Sequence, residues 1–274
     1  MFKKGLLCAV VLVLGIGAWS VQTEPPTKEE IAQWRMDAEK GNPAAQFYLG
    51  VCYFNGYSVK QDFMEAAKWY RKAAEQGNVL AQQNLGICYA NGWGVAKDHT
   101  EAAKWYRKAA EQGDDNAQFS IGFCYHNGDG VKQDHTEAVK WFRKAAEQEN
   151  VLAHLLLGVC YRVGAGVEKD YTEAAKWFYK AAEWGNAVAQ CRLGLCYHSG
   201  EGVEKNYTEA AKWFRKAAEQ GYDDAQYMLG NCYYKGEGVK QDYAEAVKWY
   251  CKAAEQENEP AKELLIQALK RLDQ

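Results

Sequence analysis

The feature that most constrains this chain is a motif that returns every 36 residues without any insertion. It begins as Glu65-Ala66-Ala67-Lys68-Trp69 and ends at Gly77, and its tryptophans mark the spacing: Trp69, Trp105, Trp141, Trp177, Trp213 and Trp249. A fixed period of this length is typical of stacked units that are each too small to bury their own apolar face. The sequence therefore predicts one domain with a continuous core, built from six repeats: 42–77, 78–113, 114–149, 150–185, 186–221 and 222–257.

Each repeat contains two predicted helices. From Pro43 to about Phe54, apolar residues recur at helical spacing until Asn55-Gly56 interrupts the pattern. The other repeats have Gly-x-Gly in this region, which favours a tight turn with positive φ. A second helix begins after the N-cap residue Asp62 and runs to Gly77, where glycine ends it. The predicted unit is helix, glycine turn, helix.

Single helices are predicted at the two ends of the repeat array. Residues 27–41 begin with a capping box of Thr27 and Glu30 and are similar to the second helix of a repeat. Residues 258–274 place an apolar stripe opposite Lys and Arg, and its members are Leu264, Leu265, Ala268, Leu269 and Leu272. We expect both segments to be capping helices that cover the open ends of a solenoid.

The residues of one repeat resemble a known family. The pattern Ala45…Leu49-Gly50-x-x-Tyr53-x-x-Gly56…Val59…Asp62-x-x-Glu65-Ala66-x-x-Trp69…Lys72-Ala73-Ala74-Glu75-x-Gly77 recurs six times and is similar to the Sel1-like repeat, a relative of the tetratricopeptide repeat. The resemblance implies an all-α fold, namely a right-handed α-solenoid of six 36-residue helix-turn-helix repeats with N- and C-terminal capping helices. It also implies a non-enzymatic scaffold for protein–protein interactions, as in secreted bacterial Sel1 repeat proteins.

Comparison of the repeats with one another separates two faces of the first helix. On a helical wheel, Ala45, Leu49, Cys52 and Tyr53 share a face that is nearly identical in all repeats, as packing between equal neighbours requires. The face roughly opposite, at positions 44, 47, 51 and 54, stays largely apolar but differs from repeat to repeat. In tetratricopeptide relatives this face lines the concave groove, which predicts a surface for a peptide or protein segment. Alternatively, a tightly wound solenoid buries part of this face against itself.

The predicted partner-binding residues belong to this variable face. Its first half is aromatic and its second half is polar, so a partner with one apolar and one polar end would suit it. Truncation of an aromatic anchor such as Phe119 or Tyr234 is expected to weaken binding without unfolding the array. The predicted residues are Phe47, Phe54, Gln83, Ile87, Phe119, Phe123, His126, Leu155, Arg162, Cys191, His198, Tyr227, Asn231 and Tyr234.

The sequence lacks the motifs of the common catalytic sites. None of its serines, at 20, 58, 120 and 199, has Lys three residues later, and Ser-Asp-Asn, Lys-Thr-Gly, His-Glu-x-x-His and P-loop motifs are absent. His99 and His135 occupy equivalent positions in adjacent repeats, where a spacing of about 10 Å is too large for one zinc ion. We expect no enzyme, no metal ion and no cofactor. The alternative is cell-wall glycan binding, or β-lactam binding or hydrolysis as proposed for cysteine-rich Sel1-like proteins.

Nine cysteines raise the question of disulfide bonds. Six of them form a ladder on the invariant face, where a spacing of about 10 Å exceeds the roughly 7 Å limit between bridged Cα atoms. We expect these six to be buried thiols: Cys52, Cys88, Cys124, Cys160, Cys196 and Cys232. The cysteine-rich Sel1-like subfamily instead pairs cysteines eight residues apart, at positions that hold residues such as Ala74 and Gln82 here. Cys191 and Cys251 lie off the ladder.

Residues 1–20 have the layout of a secretory signal peptide. Lys3 and Lys4 precede an apolar run from Leu6 to Ala18, and Ala18-Trp19-Ser20 resembles a cleavage site. The run is shorter than the roughly 20 residues that a membrane anchor requires. We expect cleavage, an exposed tail at 21–26, no integral membrane anchor, and a monomer exported to the periplasm or outside the cell. The chain has 33 Lys and Arg residues and 36 Asp and Glu residues, so it has no excess of positive charge with which to bind a phosphate backbone. Nucleic acid is therefore not an expected partner.

Overall fold

The computed structural model describes residues 25–272, so the predicted signal peptide and residues 21–24 of the predicted tail lie outside the described residues. Within 25–272 the chain forms fourteen α-helices and no strands. Twelve of these helices form the six helix pairs of the repeats, and one single helix lies at each end. The all-α solenoid predicted from the 36-residue period is confirmed.

The helices alternate regularly along the chain. Helix α1 (Lys28–Glu39) precedes the repeats and α14 (Glu259–Leu272) follows them. The first helices of the repeats are α2 (Pro43–Asn55), α4 (Val79–Asn91), α6 (Asp115–Asn127), α8 (Val151–Val163), α10 (Ala187–Ser199) and α12 (Asp223–Lys235). The second helices are α3 (Phe63–Glu75), α5 (His99–Glu111), α7 (His135–Ala146), α9 (Tyr171–Glu183), α11 (Tyr207–Glu219) and α13 (Tyr243–Glu255).

Local capping determines where these helices begin and end. The side chain of Asn42 accepts a hydrogen bond from the Ala45 N–H at 3.0 Å, and the equivalent Asn or Asp caps the first helix in the next four repeats. Asp62 caps the second helix by accepting from the N–H of Glu65 at 3.1 Å. Gly56, at φ 76, ends the first helix because a left-handed residue there stops helix propagation. The predicted helix–turn–helix unit follows from these signals.

The two helices of a repeat approach closely where the first helix has glycine. A Cβ atom on Gly50 would lie 2.6 Å from a ring carbon of Tyr70 in the second helix. The same glycine and ring recur in the other repeats, for example at Gly122 and Phe142. The ring of the second helix therefore occupies the space that a side chain at the glycine position would otherwise fill.

The second glycine of the Gly-x-Gly turn brings successive repeats together. Gly130 has φ +71, and a Cβ atom there would lie 1.9 Å from the carbonyl oxygen of His99 in the preceding repeat. Gly94 and Gly202 have the same close approach, to Phe63 and Tyr171. In the first repeat this position holds Ser58, whose hydroxyl donates to the carbonyl of Pro26 at 3.0 Å.

The chain divides into two compact units, the N-terminal unit up to Gln148 and the C-terminal unit from Glu149, whereas the repeat pattern predicts one domain. In the N-terminal unit, buried Ala66 and Tyr70 of α3 pack in one cluster with Leu85 of α4. In the C-terminal unit, Phe214 of α11 and Leu229 of α12 share a cluster in the same way. Within a unit, each repeat packs on the next repeat along the chain. The 36-residue period predicts this packing between neighbours, but it does not determine how many repeats one compact unit contains.

The terminal helices cover the first and last repeats as predicted. Ile31 and Ala38 of α1 are buried in a cluster with Leu49 of α2. At the other end, Ala261 and Ala268 of α14 are buried in a cluster that contains Tyr250 and Ala253 of α13. Both ends of the array are therefore closed by apolar contacts.

Candidate protein-binding surface

The structure divides the variable face of the first helices into a buried part and an open part. The buried part is the column at position 47, in which the Phe119 side chain is 1% exposed. Ring contacts show why: Phe47 lies 6.0 Å from Tyr70, and Phe119 lies 5.8 Å from Phe142. The residues of this column are Phe47, Gln83, Phe119, Leu155 and Cys191, all buried, and Tyr227, which is half-buried.

This burial corrects one expectation from the sequence. Phe119 was expected to be an anchor that can be truncated without unfolding, but it packs inside its own repeat between the two helices. Its removal would create a cavity in the core, which typically costs 3–5 kcal/mol. The alternative reading, in which part of the variable face is buried by the solenoid itself, holds for this column.

The column at position 54 packs on the first turn of the second helix. Ring centroids are 5.2 Å apart for Phe54 and Phe63, and 5.4 Å apart for Tyr234 and Tyr243. All members of this column are half-buried, including the predicted site residues Phe54, His126, Arg162, His198 and Tyr234. These side chains have a solvent-facing part, and a role in binding stays a prediction for each of them.

The column at position 51 is intermediate between these two. Ile87 is buried, as is Val51, whereas Phe123 and Asn231 are half-buried. Phe123 lies 6.1 Å from the Phe119 ring, and Asn231 accepts a hydrogen bond from the Tyr250 hydroxyl at 2.7 Å. Contacts within the fold thus cover part of the side-chain surface of the predicted residues Ile87, Phe123 and Asn231.

The open part of the first helices includes two columns that the sequence reasoning missed. We define the open stripe as positions 44, 48 and 55 of the first repeat together with their exposed or half-buried equivalents in the N-terminal unit. In the N-terminal unit, Tyr48 is 39% exposed and Leu80 is 40% exposed. Asn55, Asn91 and Asn127 at the last position are all exposed. The signal that could have found the stripe is its i, i+4, i+11 spacing, which follows one side of a helix.

Contacts hold the N-terminal part of the open stripe in place. The Tyr48 ring stacks on Trp34 of α1, with centroids 5.0 Å apart. The side-chain amide of Asn55 donates to the carbonyl of Val51 at 3.0 Å, and Asn91 does the same to Ile87 at 2.9 Å. These side chains are therefore ordered before a ligand arrives, which reduces the entropy lost on binding.

The histidine pair in the structure is His126 and His135, whereas the sequence comparison concerned His99 and His135. His126 and His135 lie in one repeat with ring centroids 4.9 Å apart, and the buried Nδ1 atoms of both lack a hydrogen-bond partner. Burial, together with the charge of His135, lowers the pKa of His126 below its usual 6.5. Within residues 25–272, no group of three or more His, Cys, Asp or Glu side chains is arranged to hold a metal ion.

The described cysteines are free thiols. Burial raises the pKa of Cys88 and Cys160 to about 12, and that of Cys52 to about 11. Off the ladder, burial also raises the pKa of Cys191 to about 12, and Cys251 is partly exposed. Because the thiolate is the reactive form, thiols with such values are poor nucleophiles at neutral pH.

A surface cleft of about 450 Å³ in the N-terminal unit is lined by cations that already have partners. Lys104 contacts Glu101 at 2.6 Å, Lys108 lies 4.0 Å from the centre of the Trp105 ring, and Arg107 donates to the hydroxyl of Tyr125.

None of the helices between residues 25 and 272 has the length and apolar character needed to cross a membrane.

This succession of helix pairs defines a helical-repeat protein, an all-α solenoid. The model of the Sel1 repeat matches residues 43–78, 79–114, 115–150, 151–186, 187–222 and 223–258. The chain therefore belongs to the Sel1 repeat family. Each matched segment begins one residue later than the corresponding predicted repeat. Proteins with Sel1 repeats are generally scaffolds for protein–protein interactions, and their fold is typically non-catalytic.

Two solved structures are similar to this chain. A protective antigen from uropathogenic Escherichia coli strains, which displays an SLR fold, is 42% identical over 88% of this chain, with a TM-score of 0.84. The alignment covers only 52% of that protein chain, so the present chain spans about half its length. A Sel1 repeat protein from Oxalobacter formigenes is 34% identical, with 82% of this chain and 90% of that chain covered and a TM-score of 0.76. A comparison with curated proteins finds no match.

Proposed function

We propose that this chain is an exported scaffold that binds a peptide or protein segment along the open stripe of its first helices. The observation that carries the proposal is the contrast between two columns of the same helices. Ala45, Ala81 and Ala117 are identical and buried, as packing between repeats requires. The neighbouring column at position 48 holds the exposed Tyr48 and the half-buried Asn84, which differ and remain accessible, whereas Ser120 and Leu156 of the same column are buried. Packing accounts for the first column, and recognition of a ligand accounts for the second.

The chemistry of the N-terminal stripe suits a polypeptide. Exposed apolar surface at Tyr48 and Leu80 can bury side chains of a ligand. Amides at Asn91 and Asn127 lie at the C-terminal end of the same helices and can bond to the backbone of an extended segment. Apolar contact area with a few polar groups is the usual composition of a specific binding surface. The alternative of β-lactam chemistry draws no support from the buried thiols with raised pKa values.

The test begins with the mature protein as bait for envelope and secreted proteins, followed by mass spectrometry and measurement of Kd for the captured partner. Tyr48→Ala and Leu80→Ala should each weaken binding at least tenfold, equivalent to about 1.4 kcal/mol. Met64→Ala is the matched control, because Met64 is highly exposed but belongs to the second helix α3. Thermal melting of each variant checks that the fold is intact. Loss of binding in the Met64 variant, with unchanged binding in the stripe variants, would place the interaction on the second helices.

Export is a separate part of the proposal and rests on the layout of residues 1–20. N-terminal sequencing of protein from the periplasm or the culture medium should give a first residue at or near Val21. A chain that begins at Met1 and sediments with membranes would contradict export by a cleaved signal.

A further inference from the structure

The fourth repeat departs from the others at the end of its second helix. In the five other repeats, a glutamine at this point donates its side-chain amide to a buried glutamine of the first helix, at 2.7 Å for Gln76 and Gln46 and at 2.8 Å for Gln220 and Gln190. The fourth repeat has Trp184 and His154 at these two positions. The Trp184 side chain is 63% exposed, although burial is the usual state of a ring this large.

A second departure lies one turn earlier on the same helix. Tyr179 occupies the position of an arginine that, as Arg71 in the first repeat and Arg215 in the fifth, donates to a tyrosine hydroxyl of the following repeat. The Tyr179 hydroxyl instead donates to Glu183 Oε1 at 2.7 Å, and its ring lies edge-on to Trp213 at 6.1 Å. The substitution removes a guanidinium, exposes a ring that is 41% accessible, and fixes the position of a carboxylate.

Three properties of this place favour a positive charge. We define the α9 tip as Tyr179, Glu183 and Trp184, the last two turns of α9 and its C-cap residue. An exposed indole attracts cations to its face, and Glu183 adds a negative charge. The C-terminal end of a helix is itself negatively polarised. In the neighbouring repeat, Gln220 donates to the last-turn carbonyl of Lys216 at 3.4 Å, and Trp184 has no amide to do so.

The nearest cation on the helix itself is directed elsewhere. The Lys180 ammonium lies 4.6 Å from the centre of the Trp177 ring, in the same arrangement that Lys216 has with Trp213. The α9 tip thus combines exposed aromatic surface with negative charge. An apolar partner would leave the carboxylate and the helix end unused, whereas a basic side chain would use all three features.

We propose that the α9 tip binds a lysine or arginine side chain of a partner protein segment. This surface lies on a second helix, so the inference does not rest on the open stripe of the first helices, and either proposal can fail alone. The cation would lie against the face of Trp184, with Glu183 as its counter-ion.

The other repeats supply the variant that tests the proposal. Tyr179→Arg together with Trp184→Gln installs the residues of the neighbouring repeats, so this double variant is expected to fold like the original protein. The probes are hexaarginine and hexalysine, with hexaglutamate and a neutral Gly-Ser hexapeptide as controls. Binding is followed by the indole ¹H–¹⁵N signal of Trp184, which is assigned by its loss in Trp184→Gln.

Both basic peptides should shift the Trp184 signal in the original protein, and the controls should not. Affinity measured by calorimetry should fall at least tenfold in the double variant, and several-fold in Glu183→Gln. Equal affinity of hexaarginine for the double variant would show binding to the general negative surface and overturn the proposal. So would a self-association that is seen by sedimentation in the original protein and lost in the double variant, because the occupant would then be a second copy of the chain.

Discussion

The close approach of successive repeats at the second glycine of the turn can be tested at Gly130. Replacement by alanine adds a Cβ atom 1.9 Å from the His99 carbonyl oxygen of the preceding repeat. This is more than 1 Å inside any real contact distance, and the opposing atom belongs to the backbone of a helix, which cannot rotate away. The turn must therefore move outward and lose its packing against α5 (His99–Glu111).

The magnitude follows from a matched control at Gly113. Gly113 has φ +99 with nothing within 4 Å of an added Cβ, so Gly113→Ala reports only the cost of a left-handed residue, about 1–2 kcal/mol. Gly130→Ala carries the same backbone cost plus overpacking, typically 1–3 kcal/mol more. We expect a loss of about 2–5 kcal/mol for Gly130→Ala, which for a chain of this size lowers the Tm by roughly 10 °C.

The assay is thermal and urea unfolding followed by far-UV circular dichroism, with both variants measured under the same conditions. Equal destabilisation by Gly130→Ala and Gly113→Ala would refute the reasoning. The turn would then be free to shift, and the glycine would not set the spacing between repeats.

Three further predictions follow from burial. Trp141→Ala should cost about 3–5 kcal/mol, because the Trp141 ring is buried in a cluster with α5 and α6; an unchanged urea midpoint would contradict its place in the core. Thiol counting under denaturing, non-reducing conditions should find the six ladder cysteines free, and three bridges among them would exclude the stacking observed here. The folded state lowers the pKa of His126, so the stabilising contribution of its neutral ring is present above the unfolded pKa near 6.5 and is lost as the pH falls below that value. His126→Phe should reduce this loss of stability between pH 7 and 5. An identical dependence of stability on pH in the variant would contradict the prediction.

The helix pairs were predictable from the sequence because their signals are local. The Asn42 and Asp62 side chains cap backbone N–H groups within three residues, and Gly56 supplies the positive φ at the end of the first helix. The cap of the first helix recurs in five repeats and the other two signals recur in all six, at one spacing, which removes the ambiguity of any single copy. The 36-residue spacing continues through the division into two units after Gln148, and the local change there, Glu149 in place of the glycine of most repeats, also occurs at Glu257.

The orientation of the first helix was not predictable in the same way. A helical wheel separates opposite faces but does not show where the second helix of the pair lies. Gly50 allows the Tyr70 ring to approach closely, and this contact brings the second helix over position 47 as well. The predicted partner-binding residue Phe47 is therefore buried, whereas Tyr48, one residue later, is 39% exposed. No apolar pattern marks the column of Tyr48, since its equivalents include Asn84 and Arg192.

Some residues that depart from the repeat pattern have a matching change at a neighbouring residue of the chain, and others have none. Glu237, in the turn of the last repeat, contacts His198 of the repeat before it at 2.9 Å. Cys251 replaces the arginine that elsewhere bonds to a tyrosine 18 residues later, and here that later position is Leu269, which offers no hydroxyl. Such departures are explained by neighbours within the chain. Trp184 gains no comparable burial, and this exposed indole at a negatively polarised helix end is the contrast from which we propose a contact with a basic side chain of another molecule.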